Sequence, residues 1–308
     1  MIEKIKSIPK LIKNRQLLIQ IKKRFYIDLN SNIKNTIFIS GTGRSGTTWL
    51  SQIINYKNDF RYIFEPFYPG KVDFCYFFGW KQYLRLNEEY PLFYDAVKTI
   101  LSGKARVHFI NRHNRKLVNN KRLIKDVKTN LFMGWMAQRF TDLKSILIVR
   151  HPGAVINSYL KLGLDPNIKW YSNQHELMED YLNDFSQELH SAVTRFDRIL
   201  LMWCIENYVP LQQMRECPLN IKLVLYEDFC NKFEPTVKSV FQYLNIPYRD
   251  EVLATKKEAS LTTRPFAAVL NDLDLTSAWK ANIDEDKIKK IKKMTQLFKL
   301  DYLYEDLR

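Results

Sequence analysis

The sequence has 308 residues, of which 48 are Lys or Arg and 33 are Asp or Glu, so its formal net charge is +15. Apolar residues make up 46% and aromatic residues 14%, which is too apolar for a disordered chain, and 9 Gly with 11 Pro exclude collagen-like or linker-rich sequence. A chain of this length buries about 75% of the surface that it exposes when unfolded. We therefore expect a globular protein with a large core that handles an anionic ligand.

The positive charge is densest in the first 24 residues, where eight Lys or Arg accompany one Glu. We interpret residues 1–30 as a basic helical extension before the main domain. This helix is either a solvated element or, through residues 1–24, a peripheral contact with an anionic membrane or polymer. Charges run throughout the segment and it has no small-residue cleavage site, so it lacks the pattern of a secretory signal.

Cysteine usage and hydropathy indicate a cytoplasmic location. The four cysteines form no C-x-x-C pair, which argues against a zinc site, a redox motif or a disulfide scaffold. No run of about 18 apolar residues predicts a membrane-spanning helix.

Short apolar runs without alternation predict strands that are covered on both faces, as in a parallel sheet. In chain order the predicted strands are Thr36–Ser40, Tyr62–Phe64, Arg122–Lys125, Ser145–Val149 and Ile221–Tyr226. Apolar positions at helical spacing predict helices at Gly46–Tyr56, Leu131–Thr141, Pro152–Lys161, Arg195–Met214 and Pro235–Leu244.

This alternation predicts one α/β domain over residues 31–308, P-loop-containing, with three α/β/α layers around a mostly parallel sheet of about five strands. Residues 163–195 are polar and aromatic without a strand pattern. We expect them to form an insertion on the acceptor side of the active face.

A glycine-rich loop follows the first predicted strand, with the sequence SGTGRSGTTWL at residues 40–50. Between a strand and a helix, backbone N–H groups and the helix N-terminus bind phosphate. Gly41 and Gly46 have the spacing of the G-x-x-x-x-G-K-[ST] loop, but Thr47 stands where that loop has Lys, and the basic residue is Arg44 inside the loop. The pattern favours a ligand with fewer 5′ phosphates and no bridging Mg²⁺, and no clustered ligand set predicts a metal site.

The segment RSGTTWL after an apolar strand resembles the 5′-phosphosulfate loop of sulfotransferases that use 3′-phosphoadenosine 5′-phosphosulfate (PAPS). Arg in place of the Lys of the cytosolic branch resembles the tyrosylprotein and carbohydrate branch and its bacterial relatives. The resemblance implies that the 5′ part of PAPS is bound by Arg44, Ser45, Gly46, Thr47, Thr48 and Trp49.

A second motif, ILIVRHPGAVINS at residues 146–158, resembles the family's 3′-phosphate segment. Arg150 ends the predicted strand and Ser158 follows eight residues later, so a guanidinium and a hydroxyl are available for charge-assisted bonds to a phosphate. His151 replaces the usual Asp or Asn, and we expect it to be structural. In VLYEDF at residues 224–229, the resemblance implies that Tyr226 contacts the nucleotide.

Two C-terminal segments extend the resemblance to about residues 35–282. SAWK at residues 277–280 resembles the end of the family's ligand-covering loop, with the basic residue on the other side of the Trp, and implies a phosphate contact by Lys280. Within SLTTRP at residues 260–265, Thr263 and Arg264 are candidates to close over the 3′-phosphate.

The candidate catalytic residues are Glu65, Arg44 and Lys125. The FEP triplet around Glu65 resembles the carbohydrate branch, and its offset of 21 residues from Arg44 is similar to that of the tyrosylprotein branch, in which a Glu at this place is the general base. Between aromatic neighbours we expect burial to raise its pKa, which suits a base. The alternative base is a His from the basic loop that contains His108 and His113. Arg44 and Lys125 are expected to stabilise the charge on the leaving phosphate.

The sequence thus predicts a PAPS-dependent sulfotransferase that releases adenosine 3′,5′-bisphosphate. We expect a small acceptor with a hydroxyl or nitrogen, such as a metabolite or natural product of secondary metabolism. Its pocket is expected to be walled by residues among Tyr68, Phe74, Tyr76, Phe77, Trp80, Trp170 and Tyr171, or these aromatics belong to the core.

Two alternatives stay open. A P-loop kinase or NTPase is suggested by the glycine spacing, and a non-catalytic binder of an anionic polymer or membrane by the net charge of +15. Basic motifs interleaved with aromatics are not found, so nucleic acid is not an expected partner. The sequence does not predict an oligomeric state.

Overall fold

The computed structural model describes residues 26–114, 116–257 and 276–308. The predicted basic extension before residue 26 lies outside these residues, as do Thr263 and Arg264. They keep the status of predictions.

Strands occur where the apolar runs predict them. The strands are β1 (Ile27–Asp28), β2 (Thr36–Ser40), β3 (Arg61–Phe64), β4 (Val118–Asn119), β5 (Arg122–Asp126), β6 (Lys144–Val149) and β7 (Ile221–Leu225). Five of them form one parallel sheet in the order β3–β5–β2–β6–β7, and β1 pairs with β4 separately. The predicted parallel five-strand sheet is confirmed. The last predicted strand ends one residue early, because Tyr226 begins a helix.

Helices and turns connect these strands. The α-helices are α1 (Thr47–Ile54), α2 (Pro91–Leu101), α3 (His108–Asn111), α4 (Met133–Arg139), α5 (Pro152–Lys161), α6 (Lys169–Ser172), α7 (His175–Leu177), α8 (Ser186–Ser191), α9 (Arg195–Glu216), α10 (Tyr226–Asn231), α11 (Phe233–Leu244) and α12 (Glu285–Leu297). Stretches of tighter or wider helix lie at Ile33–Asn35, Asp73–Cys75, Asn130–Phe132, Met178–Leu182, Asn183–Phe185, Asp250–Lys257, Lys280–Asn282, Asp301–Leu303 and Glu305–Leu307.

Successive side chains of each strand enter two different cores, one on each face of the sheet. Phe38, Ile124 and Leu147 belong to the larger core, which α2, α4, α5 and α9 cover, whereas Ile39 and Leu123 belong to the smaller core under α1 and α11. Because side chains alternate across a strand, a strand with apolar residues at every position requires cover on both faces. This gives the predicted three-layer α/β/α arrangement.

The segment 163–195 contains α6, α7 and α8 with short turns between them and no strand. It is anchored in the larger core by Tyr171, Leu177 and Leu182, all fully buried. Its contacts at the edge of the site are described below.

Parallel strands bring the residues that follow them to one edge of the sheet. In the register, Ser40 is paired with Asp126, Phe64 with Lys125, and Val149 with Leu225. The glycine-rich loop, Glu65, Lys125, Arg150 and Tyr226 therefore all stand at the carboxyl edge of the same sheet.

Candidate active site

The loop between β2 and α1 is built for close approach of a ligand. Arg44 and Gly46 both have positive φ, 71° and 89°, and the Ser45 N–H donates to the Thr42 carbonyl at 3.1 Å. A Cβ on Gly41 would lie 2.4 Å from the Ile148 carbonyl oxygen, so only glycine fits beside β6. The Ser45 hydroxyl is buried and has no hydrogen-bond partner among the described residues. An unpartnered buried hydroxyl in such a loop fits an oxyanion ligand.

The rest of the predicted loop set lies at the start of α1. Thr47 and Thr48 occupy its first turn, where N–H groups are unsatisfied by the helix itself. Trp49 packs into the smaller core, with its ring centroid 5.5 Å from that of Tyr226 and 6.1 Å from that of Phe233. Trp49 thus supports the site through its contact with the Tyr226 ring.

The two phosphate motifs meet in space. The Arg44 Nε donates to the Ser158 hydroxyl at 3.0 Å, across 114 residues of sequence, and the Arg150 Nη1 donates to the Arg44 carbonyl at 3.2 Å. The Arg150 guanidinium lies over the Tyr226 ring, 4.3 Å from its centroid. The structure therefore brings Arg44, Arg150, Ser158 and Tyr226 together around the loop, as an anion-binding cluster requires.

Glu65 lies at the end of β3 with both carboxylate oxygens in ion pairs. Its backbone has a φ of 45° and its N–H donates to the Lys125 carbonyl at 2.7 Å. Oε1 accepts from Lys125 Nζ and Oε2 accepts from Lys128 Nζ, each at 2.7 Å. The side chains of Lys125 and Lys128 are only 4% and 6% exposed, so this pairing lies in a site from which water is largely excluded.

The expectation that burial raises the pKa of Glu65 is wrong. Burial alone acts in that direction, but the charges and hydrogen bonds of Lys125 and Lys128 outweigh it and lower the pKa to about 2. The carboxylate is therefore ionised at neutral pH and can accept a proton, but while both lysines hold it the carboxylate is a weaker base than an unpaired glutamate. Burial in turn lowers the pKa of Lys125, against the opposing effect of Glu65.

Lys128 was not among the residues that the sequence predicted for the site. Its position depends on Asp126, a fully buried carboxylate that accepts from the Lys128 N–H at 2.7 Å and from the Phe67 N–H at 2.9 Å. Asp126 thus connects the segment after β3 to the segment after β5. The K-D-V-K spacing, with a second Lys three residues after the predicted one, was the available signal.

An aromatic wall adjoins this carboxylate. Lys128 Nζ lies 4.4 Å from the Tyr68 ring centroid and 5.7 Å from that of Trp80. Trp80 stacks on Trp170 of the 163–195 segment with centroids 5.2 Å apart and planes at 14°. All three rings are half-buried.

The other predicted wall residues lie elsewhere. Tyr171 is fully buried and donates to Glu206 at 2.6 Å, and the Tyr76 side chain is 80% exposed. Phe74 and Phe77 pack against the larger core.

The two alternative bases occupy different surroundings. His108 is exposed at the start of α3. His113 is half-buried, 5.0 Å from the Phe64 ring centroid, and its Nε2 accepts from Arg112 at 3.1 Å. Burial, Arg112 and Lys125 lower its pKa, so His113 is uncharged at neutral pH.

His151 and Lys280 lie on the nucleotide side. The His151 Nδ1 accepts from the Gly153 N–H at 3.1 Å and caps α5, and its ring stacks on Trp279 with centroids 4.6 Å apart. The Lys280 side chain is 54% exposed and its ammonium pairs with Asp306 at 3.4 Å. His151 therefore has a structural contact, and the phosphate contact of Lys280 stays a prediction.

Across residues 26–114, 116–257 and 276–308, no helix has the length and apolarity needed to cross a bilayer. In the same ranges, no three His, Cys, Asp or Glu side chains are grouped as metal ligands.

The sequence and the structure of the chain were compared with those of known proteins. A sequence model of the sulfotransferase family matches residues 36–250. No curated protein sequence gives a match to this chain.

Solved structures with similarity include three sulfotransferases. A sulfotransferase domain from the curacin biosynthetic pathway has a TM-score of 0.46 and 16% identity, over 88% of this chain and 98% of that chain. A sulfotransferase domain from a Synechococcus olefin synthase has a TM-score of 0.44 and 16% identity, over 84% and 94%. A mouse sulfotransferase complexed with PAP has a TM-score of 0.44 and 14% identity, over 91% and 88%.

Proposed function

The chain belongs to the sulfotransferase family, and we propose that it transfers the sulfuryl group of PAPS to a hydroxyl or nitrogen of a small acceptor. The observation that carries this proposal is the placement of a paired carboxylate, Glu65 with Lys125, at the same sheet edge as the anion-binding cluster of Arg44, Arg150 and Ser158. A nucleotide with phosphates at both its 5′ and 3′ positions matches two adjoining motifs, the loop with Arg44 and the segment with Arg150 and Ser158, which contact each other.

The residues of the loop fit a 5′-phosphosulfate. The unpartnered Ser45 hydroxyl, the close approach at Gly41 and the first turn of α1 offer donors without bulk. Arg44, Ser45, Gly46, Thr47 and Thr48 would hold this end, and Arg150, Ser158 and Tyr226 the 3′-phosphate end. Thr263, Arg264 and Lys280 are proposed to cover the nucleotide.

PAPS supplies an activated sulfuryl group whose transfer needs no metal. In the proposed reaction a bond forms between the acceptor oxygen and sulfur while the bond from sulfur to the 5′-phosphate oxygen breaks. The electron pair leaves with adenosine 3′,5′-bisphosphate, and Glu65 takes the acceptor proton. Arg44 and Lys125 stabilise the charge that develops on the leaving oxygen, and the buried site strengthens that interaction.

For the acceptor we propose a small metabolite or natural product that enters between Glu65 and the wall of Tyr68, Trp80 and Trp170. The wall is half-buried and aromatic, which suits a compound with an apolar surface. The cysteine pattern of the sequence supports a cytoplasmic setting for this reaction.

Calorimetry with adenosine 3′,5′-bisphosphate tests the nucleotide site, and incubation with ³⁵S-labelled PAPS and a metabolite pool tests transfer. We expect binding by the wild-type chain and a labelled product. Glu65→Gln is expected to retain nucleotide binding and to lose about 10²–10⁴ in turnover, the usual contribution of a general base. The exposed Glu234→Gln is the matched control.

Absence of bisphosphate binding by folded protein would refute the proposal. Mg²⁺-dependent turnover of ATP would favour the kinase alternative instead. Loss of turnover in His113→Gln with full activity in Glu65→Gln would move the base to the histidine.

A further inference from the structure

The Glu65 carboxylate has two cationic partners, although general base catalysis requires only that the carboxylate be ionised and correctly oriented. One partner, Lys125, has a second role in the proposed function because it also stabilises the leaving group. The Lys125 ammonium has three donors, so it can contact Glu65 and the leaving oxygen together, but it holds only Oε1 of the carboxylate. A second partner on Oε2 fixes the orientation of the carboxylate even when Lys125 moves toward the leaving group.

Lys128 has the geometry of that partner. Its Nζ lies 2.7 Å from Glu65 Oε2, on the oxygen that Lys125 does not contact. Its backbone N–H is fixed by Asp126 at 2.7 Å, and its ammonium lies 4.4 Å from the Tyr68 ring centroid. Two side-chain contacts and one backbone hydrogen bond thus fix Lys128, whose side chain is only 6% exposed.

This arrangement is costly as a purely structural feature. Buried ion pairs seldom stabilise a fold relative to apolar residues, since each charge loses its hydration. Lys125, Lys128, Glu65 and Asp126 together place four ionisable side chains in a site that is largely closed to water. Such arrangements concentrate at functional sites, where charge is needed for chemistry.

We propose that Lys128 is the positioning residue of the general base: it holds Glu65 by Oε2 while Lys125, which contacts Oε1 in this structure, serves the leaving group and Oε1 takes the acceptor proton. This inference rests on the proposed function. Lys128 acts through Glu65 and takes no part in nucleotide binding. Lys125 and Lys128 lower the pKa of Glu65, and the Glu65 charge in turn raises the pKa values of Tyr62, Arg112, His113, Asp126 and Tyr159.

The test compares Lys128→Met, which keeps the side-chain length without the charge, with Lys128→Arg, which keeps the charge. The exposed Lys104→Met is the control. The carboxyl carbon of Glu65 is followed by ¹³C NMR in the nucleotide-free protein, with its signal assigned by its absence in Glu65→Gln. This readout needs neither PAPS nor an acceptor.

Wild-type Glu65 should stay ionised at about pH 4, since its pKa is about 2. In Lys128→Met the titration midpoint should rise by about 1–3 pH units, the usual effect of removing one adjacent opposite charge. Turnover should fall by about 10- to 100-fold, less than the loss of the base itself, with adenosine 3′,5′-bisphosphate affinity unchanged within about twofold. Lys128→Arg and Lys104→Met should resemble the wild type in titration midpoint.

An unchanged Glu65 midpoint in folded Lys128→Met, with normal bisphosphate binding, overturns the inference and leaves the proposed function standing. A parallel loss of bisphosphate affinity and turnover overturns it as well, because Lys128 would then belong to the nucleotide site. If the Met variant does not fold, Lys128→Gln replaces it under the same criteria. A wild-type protein that binds no bisphosphate refutes the proposed function and this inference together.

Discussion

Replacing Gly46 by alanine should damage both the stability of the protein and its nucleotide site. Gly46 precedes α1 with φ 89° and ψ 11°, a conformation that side chains disfavour. A Cβ there would lie 2.5 Å from Tyr226 Cδ2 and 2.8 Å from Cε2. The Tyr226 ring has little room to retreat, because Trp49 lies against it with centroids 5.5 Å apart.

The expected cost has two parts. The left-handed backbone conformation costs alanine about 1–2 kcal/mol. Overpacking against a buried ring adds about 1–3 kcal/mol. The free energy of unfolding should therefore fall by about 2–5 kcal/mol, a large share of the roughly 5–15 kcal/mol of a typical domain. Because Arg150 lies 4.3 Å from the centroid of the same ring, a displaced Tyr226 moves the guanidinium, and bisphosphate affinity should fall by at least about 10-fold.

Alanine substitutions at three other glycines distinguish the cost of the backbone conformation from the cost of overpacking. Gly163→Ala changes only the backbone term, since its φ is 65° and a Cβ there would meet nothing within 4 Å. Gly41→Ala changes only the packing term, with its Cβ 2.4 Å from the Ile148 carbonyl oxygen. Gly70→Ala changes neither term and should alter stability by less than about 0.5 kcal/mol. Urea unfolding and calorimetry measure the whole series.

The reasoning fails if Gly46→Ala is no more destabilising than Gly163→Ala, because the contact with Tyr226 would then cost nothing. It also fails if Gly46→Ala loses stability and keeps full bisphosphate affinity, since the ring and Arg150 would then not be coupled.

Three further predictions concern charged side chains. Arg150→Met should weaken adenosine 3′,5′-bisphosphate binding by about 10- to 100-fold in calorimetry, which corresponds to the free energy of one charge-assisted hydrogen bond. An unchanged affinity would show that Arg150 does not bind the phosphate. Glu206→Gln should lower the free energy of unfolding, measured in urea, by about 3–5 kcal/mol, because it removes the carboxylate 2.5 Å from the buried Lys81 ammonium. Glu234→Gln, at an exposed ion pair, should cost less than about 1 kcal/mol. Equal losses in the two variants would contradict the role of burial. The pKa of Glu65 falls from its usual 4.5 to about 2 on folding, so its ion pairs stabilise the fold fully above pH 4.5 and lose this effect as the pH falls toward 2. In Glu65→Gln the free energy of unfolding should therefore depend less steeply on pH in that window than in the wild type. An identical pH dependence in acid unfolding would contradict the pairing.

Short-range sequence signals were enough for the elements of the sheet and for the loop. Thr36–Ser40 and Pro152–Lys161 have the bounds that the apolar pattern and the helix-starting proline predict. Gly46 was identified from spacing alone, and its positive φ explains why that spacing is informative. These features depend on interactions within a few residues, and composition and periodicity record such interactions directly.

The pairing of charges was decided by the tertiary structure. Glu65 lies 60 residues from Lys125 and 63 from Lys128, and the three meet only because β3 and β5 are neighbours in the sheet. Seen from its own segment, Glu65 has aromatic neighbours that suggest a raised pKa, whereas the two lysines lower it. Lys128 itself is one of 48 basic residues, and its spacing from Lys125 does not by itself show that it contacts Glu65.

The sequence by itself determined the parallel α/β elements, the phosphate loop and the family resemblance, because each depends on residues close together in the chain. Only the tertiary structure decided which charges meet, how the Glu65 carboxylate is held and which aromatic rings adjoin Lys128. Coulomb interactions and burial act between residues that are close in space, so the direction in which they shift a residue's pKa depends on strand order and register.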